Sequence, residues 1–227
     1  MSSRRELELD FDQRGPPETD AWRKSLVGYV MYLVGRMLLY GYLRVRNQLR
    51  FHGLDNVPDG PVVLACNHAS YMDPVLVSIA LAKRGGPVHW MAWDVLFEVP
   101  VLGFLIRKLG AFPVRPGAPD RRALREAERI LRAGGIVGIF PEGGRTPTGA
   151  FQGARPGFVG IARRARASIV PVVIEGSYKA WPMQRLLPGQ GNISVRFMPA
   201  IYGGEPLASR EERDGVLRRF ERLFLRE

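Results

Sequence analysis

From residue 50 to residue 200 the chain alternates short, nearly all-apolar runs with stretches whose apolar side chains recur every three or four positions, divided by glycine-rich polar turns. The short runs predict strands at 61–66, 88–92, 111–114, 136–140, 169–174 and 193–197. The helical spacing predicts helices at 74–83, 101–109, 121–133 and 156–166. Strands alternating with helices specify an α/β fold, expected here as a central mixed sheet flanked by helices. The helix at 121–133 is the best defined: Asp120 stands where a cap belongs, Leu124, Ala127 and Leu131 share one stripe, and Gly134-Gly135 ends it. Across 210–227, Val216, Leu217, Phe220, Leu223 and Phe224 recur at helical spacing with arginines between them, which predicts a terminal helix docked on its own domain.

The first residues differ. Residues 1–21 are polar, mixed in charge and broken by Gly15-Pro16-Pro17, so a mobile head is expected. Residues 22–48 contain an apolar run, 26–43, flanked by Arg23 and Lys24 on one side and Arg44, Arg46 and Arg50 on the other. As a helix that run spans about 27 Å, marginal for a bilayer, and Arg36 in its middle is costly in lipid. Basic flanks at both ends set no orientation. The expectation is a membrane-associating helix that lies along or dips into one leaflet, with Tyr29, Tyr32, Tyr40 and Tyr42 at the interface; the alternative is a buried helix of the core. Residues 49–227 then form a single functional domain.

Charge narrows the partners without choosing one. The formal net charge is +11, and because residues 1–21 carry six acids and three arginines, the remainder carries +14. Such a field suits phosphate-bearing substrates, an anionic membrane surface or nucleic acid. No Walker loop or nucleic-acid signature accompanies it, which speaks against nucleic acid, and no zinc-type spacing points to a metal. Cys66 is the only cysteine, so no internal disulfide forms and a cytosolic setting is the simpler one. Its place in an apolar strand reads as a small buried hydrophobe rather than a nucleophile.

Two clusters carry candidate chemistry. His68 and Asp73 follow the strand at 61–66, and Asp73-Pro74 reads as a helix start with the carboxylate accepting from the first-turn N–H groups. Residues five apart lie about 140° apart on a helix, so the pair meets only through a turn. Meeting there, they make a dyad in which the acid fixes the tautomer and the free ring nitrogen takes a proton near neutral pH. The alternative is a helix cap beside an ordinary loop histidine. The second cluster, from Pro141 to Pro147, places Glu142, Gly143, Gly144, Arg145 and Thr146 after the strand at 136–140, at the sheet edge where α/β domains bind ligands. Glycine admits close approach of a ligand, and arginine forks around phosphate. A polar turn with Glu142 paired to Arg145 is the alternative.

Together the clusters resemble the glycerolipid acyltransferase family, whose best-known members are the 1-acylglycerol-3-phosphate acyltransferases. Its Asn-His-x-x-x-x-Asp motif is matched by Asn67, His68 and Asp73, its Phe-Pro-Glu-Gly-x-Arg-Ser/Thr motif from Phe140 to Thr146, and its Val-Pro-Val/Ile strand by Val170-Pro171-Val172. The blocks keep the family's order from about residue 50 to residue 200. Two positions depart from it: Arg115 is displaced by one place after Val114, and Trp93 stands where many relatives carry a phosphate-binding lysine. The resemblance implies transfer of a fatty acyl group from acyl-CoA or acyl carrier protein to the hydroxyl of a lysophospholipid acceptor. His68 is then the base and Asp73 its partner, with no metal and no bound cofactor. Glu142, Gly143, Gly144, Arg145, Thr146 and Arg115 are the substrate-binding candidates, Arg145 foremost for the acceptor phosphate. Backbone N–H groups near Gly143-Gly144 or in the first turn of the helix that starts at Pro74 would face the oxyanion. The implied place is the cytoplasmic face of a membrane. Glycerol 3-phosphate, an aminolipid or a glycolipid hydroxyl is the alternative acceptor, and a non-enzymatic basic membrane-binding protein is the alternative to an enzyme.

Overall fold

The computed structural model describes residues 40–82, 87–117, 120–185, 187–206 and 209–224. The expected mobile head and all but the end of the apolar run at 26–43 lie outside them; residues 40–46 are helical. Among the described residues no helix is long and apolar enough to cross a membrane.

Among the described residues seven strands form one sheet: β1 (Arg50–His52), β2 (Val62–Cys66), β3 (Val88–Trp93), β4 (Phe112–Val114), β5 (Ile136–Ile139), β6 (Ser168–Glu175) and β7 (Ser194–Phe197), in the order β1-β7-β6-β2-β5-β3-β4. β2 is buried along its entire length, as a strand covered on both faces must be. It pairs in parallel with β5, Leu64 opposite Gly138, and with β6, Leu64 opposite Val170. β3 pairs in parallel with β5 and β4, whereas β7 runs antiparallel to β6 with Val172 opposite Phe197, and β1 follows β7. The sheet is therefore mixed, with β2 to β6 sharing one direction. Pro113 is on the edge strand β4, where proline is tolerated, and Pro171 in β6 contributes its carbonyl, which accepts from the Met198 N–H just beyond the end of β7.

Beyond the helical residues 40–46, the described residues form helices α1 (Asp73–Leu81), α2 (Pro100–Lys108), α3 (Arg121–Arg132), α4 (Gly157–Ala165), α5 (Ser177–Ala180) and α6 (Arg210–Glu221), with one-turn 3-10 helices at Leu54–Asn56 and Asp94–Phe97. Side-chain alternation along the strands splits the interior in two. Leu64, Cys66, Trp90, Val172 and Phe197 pack with α1, Leu43 and Leu49 on one face. Val63, Ala65, Val137 and Ile169 pack with α3, α4 and α6 on the other.

Asp120 caps α3, accepting from the N–H groups of Arg122 and Ala123 at 2.9 and 3.2 Å. Ser209 and Glu212 form a capping box on α6, whose Val216 and Phe220 are buried against the domain. The helix starts at Asp73 as expected, but the expectation that its carboxylate caps the first turn fails. The residue preceding α1 is Met72, no side chain caps the helix, and the Asp73 carboxylate turns back to the loop before it. The reason is geometric: Asp73 is already the first helical residue, and side chains in a helix point toward its N-terminus.

Candidate active site

Because β2 to β6 run the same way, the loops after β2, β3, β4 and β5 emerge on one edge, and the candidate residues lie on those loops. The loop after β2 is pinned at its start. Asn67 mimics a strand residue, its Oδ1 accepting from the Ile174 N–H at 2.7 Å and its Nδ2 donating to the Ile174 carbonyl at 2.9 Å.

His68 and Asp73 meet through the turn: Nδ1 lies 2.9 Å from Oδ2, with the acid fully buried and the imidazole 16% exposed. The same Oδ2 accepts from the N–H groups of Ala69 and Ser70, both at 2.7 Å. An ionised carboxylate only accepts, so Nδ1 carries the ring proton and Nε2 keeps its lone pair. The ring is held in its plane by stacking. Phe140 lies parallel to it with centroids 3.8 Å apart, and Trp90 lies parallel to Phe140 at 4.9 Å. Gly138 makes room, since a β-carbon there would stand 2.5 Å from the Trp90 ring.

The turn after β5 is bonded directly to this loop. The Thr146 N–H donates to the His68 carbonyl at 2.9 Å. Glu142 Oε1 accepts from the His68 N–H at 2.7 Å, while its Oε2 accepts from the Gln152 N–H at 3.0 Å. Both oxygens of Glu142 are thus engaged by backbone, which makes it a clamp between three segments. Burial raises its pKa, the Asp73 charge adds to this, and the two N–H donors oppose it. Thr146 is buried, with its hydroxyl within 3.4 Å of the Thr148 hydroxyl and the Gln152 amide. Gly143 has φ of 78°, a conformation that favours glycine, and the Arg155 guanidinium lies across it.

Arg145 lies flat over Tyr71, its guanidinium carbon 3.6 Å from the ring centroid. Its Nη1 is buried without a hydrogen-bond partner, which leaves a charged donor beside the dyad loop. Arg115 is not brought into this group. Its side chain is 70% exposed and faces Asp94 at 3.6 Å at the end of β4. Trp93, at the position where the sequence lacks a lysine, donates from Nε1 to the Gly143 carbonyl at 3.2 Å and packs beside Gly144. Cys66 is buried, and burial followed by the Asp73 charge pushes its pKa well up, so it is no nucleophile. Among the described residues no group of His, Cys, Asp and Glu is arranged to hold a metal.

Sequence reasoning passes over Tyr71, Trp90 and Arg155. Tyr71 lies between two motif residues and shows no pattern of its own, while the ring stack depends on register between β3 and β5.

A family model described as Acyltransferase matches residues 48–175. The 1-acyl-sn-glycerol-3-phosphate acyltransferase of Bacillus subtilis is 30% identical over 135 residues, covering 59% of this chain and 66% of that protein. The chloroplastic 1-acyl-sn-glycerol-3-phosphate acyltransferase LPAT1 of Arabidopsis thaliana is 24% identical over 191 residues, covering 82% of this chain and 51% of that protein. The chain therefore spans only part of the length of these relatives. The crystal structure of the 1-acyl-sn-glycerophosphate acyltransferase PlsC from Thermotoga maritima matches with a TM-score of 0.61 at 26% identity, covering 78% of this chain and 70% of that one.

Proposed function

The chain belongs to the acyltransferase family, and we propose that it moves a fatty acyl group from a thioester, on coenzyme A or acyl carrier protein, to the free hydroxyl of 1-acylglycerol-3-phosphate at the cytoplasmic face of a membrane. The observation that carries this reading is the 2.9 Å His68–Asp73 hydrogen bond, which leaves Nε2 as the proton acceptor. As the acceptor oxygen bonds to the thioester carbon, its proton passes to Nε2, and Asp73 steadies the imidazolium. The tetrahedral oxyanion collapses, the carbon–sulfur bond breaks, and the imidazolium returns the proton to the leaving thiolate. The acceptor is itself the nucleophile, so no acyl-enzyme forms. Arg145 holds the acceptor phosphate with the buried Nη1 that no protein group engages. Arg155, just before α4, lays its guanidinium across Gly143 and is a second cation beside the same turn.

His68→Ala is the direct test. Purified variant protein is expected to lose at least about a hundredfold in transfer of labelled acyl groups, the usual scale of general-base catalysis, while keeping its fold. Turnover equal to the parent chain discards the base assignment.

Trp93 favours a second reading of the acceptor. It closes the Gly143-Gly144 turn with an apolar ring where the resemblance calls for a phosphate-binding cation, and this suits glycerol 3-phosphate, an aminolipid or a glycolipid hydroxyl with different headgroup demands. A panel of these acceptors with one labelled acyl-CoA separates the two readings by which product accumulates.

A further inference from the structure

Six large apolar side chains described between Asp94 and Leu109 lie on the outside, while Phe97 is buried. A surface helix of a soluble domain turns its apolar stripe inward, yet α2 buries Gly103 and leaves Leu102, Phe104 and Leu105 exposed, Phe104 by 63% and Leu105 by 51%. Val95 and Val99 before the helix and Leu109 after it are exposed as well. Gly103 explains how this arises: a β-carbon there would meet the Phe97 carbonyl at 2.3 Å, so the helix backbone sits directly on the 3-10 turn and its large side chains have only the outer side left. Exposed large apolar side chains gathered on one short segment mark a candidate interface.

We propose that this face is a docking surface for an anionic lipid bilayer, separate from the apolar run at 26–43. Three observations favour lipid. The chain carries +11, the sign that complements an anionic leaflet. α2 is about 13 Å long, too short to span and suited to lying in the interface. The patch also runs into the site: Trp93, itself exposed, adjoins it and donates to the Gly143 carbonyl. Resting on the acyltransfer reading, the inference adds to it a route, because a lipid acceptor rising from the membrane at α2 would enter beside the Gly143 turn and Arg145.

The test uses the full chain with Leu105→Cys carrying an environment-sensitive fluorophore; buried Cys66, its pKa pushed up, does not compete for label. Vesicles of phosphatidylcholine with phosphatidylglycerol are compared with phosphatidylcholine alone, and Glu211→Cys on exposed α6 is the control. The expected result is a blue shift and several-fold quenching by acyl-chain-bound quenchers at position 105 only, at lower lipid concentration when phosphatidylglycerol is present. A Leu102→Ser, Leu105→Ser double variant should need about tenfold more lipid for the same bound fraction. A probe that stays aqueous on vesicle-bound protein overturns the proposal. So does a shift without lipid, whether it grows with protein concentration, as for a second copy, or is constant, as for cover by the chain's own segment. The shift is read equally in a His68→Ala background, so a chain that docks but transfers nothing separates failure of the docking from failure of the acyltransfer reading.

Discussion

Tyr71 fixes where the Arg145 guanidinium lies, and with it the place of the proposed phosphate contact. Its ring supports the guanidinium at 3.6 Å and leans in turn on Trp181, 5.5 Å away, while the Ser70 hydroxyl ties the Trp181 carbonyl to the same loop at 2.8 Å. A partly buried cation–π contact contributes about 0.5–2 kcal/mol. Tyr71→Ala is therefore expected to raise the KM for the acceptor by up to about tenfold and to leave kcat nearly unchanged, whereas Tyr71→Phe, which keeps the ring face, should match the parent. Steady-state kinetics with varied acceptor check this, and a fall in kcat at constant KM would contradict it. Glu142 acts differently although it sits in the same motif. Its two oxygens hold the His68 and Gln152 backbone in place, so in the proposed reaction it is a positioning residue that acts through the dyad loop.

The imidazole plane depends on strand register. Trp90 on β3 lies opposite Gly138 on β5, and only a missing side chain at 138 lets Trp90 lie flat under Phe140, two residues beyond it on the same face. Gly138→Ala would drive its methyl into the indole at 2.5 Å. Overpacking of this kind costs about 1–3 kcal/mol. The expected outcome is a lowered urea midpoint together with reduced kcat, since tilting Trp90 tilts Phe140 and then His68. The two effects are measured by equilibrium unfolding and by transfer at saturating substrates. The register behind this stack was not legible in the sequence, although the strands themselves were. Apolar runs and Gly-Gly stops mark β2, β5 and α3 because burial and chain reversal leave compositional traces. β1 is three residues with alternating exposure and α5 is four, too short for any period to show. His68 and Asp73 were legible as a pair because spacing alone requires a turn between them. Arg145 was legible as a cation at a glycine turn, but its platform Tyr71 comes from a different loop, and Arg115 stands apart because β4 is an edge strand whose end faces Asp94.

The sheet order gives the protein two ends with different duties. The carboxyl edge of β2, β3 and β5 carries the dyad, the glycine turn and the exposed face of α2, and among the described residues the amino edge carries connections and none of the candidate site residues. α3 runs back across the sheet and hands the chain through Ala133–Gly135 to the start of β5, so Leu131 lies at the amino edge, fully buried, beside a cleft lined by Pro61 and Gly134. It packs on the face covered by α3, α4 and α6, whereas Trp90 and Met72, which support the dyad loop, pack on the opposite face. A change at Leu131 is thus separated from the chemistry by the thickness of the sheet and by the length of β2. Leu131→Ala removes a buried side chain and should destabilise the fold by about 2–5 kcal/mol. It should leave kcat and KM per folded molecule unchanged, because none of the bonds that position His68, Glu142 or Arg145 passes through α3. Urea unfolding at constant m-value gives the first quantity, and active-site-normalised kinetics at low temperature give the second. A marked loss of kcat in the folded fraction would mean that the two faces are mechanically coupled through β2, whose Ala65 and Cys66 point to opposite cores immediately before the dyad loop.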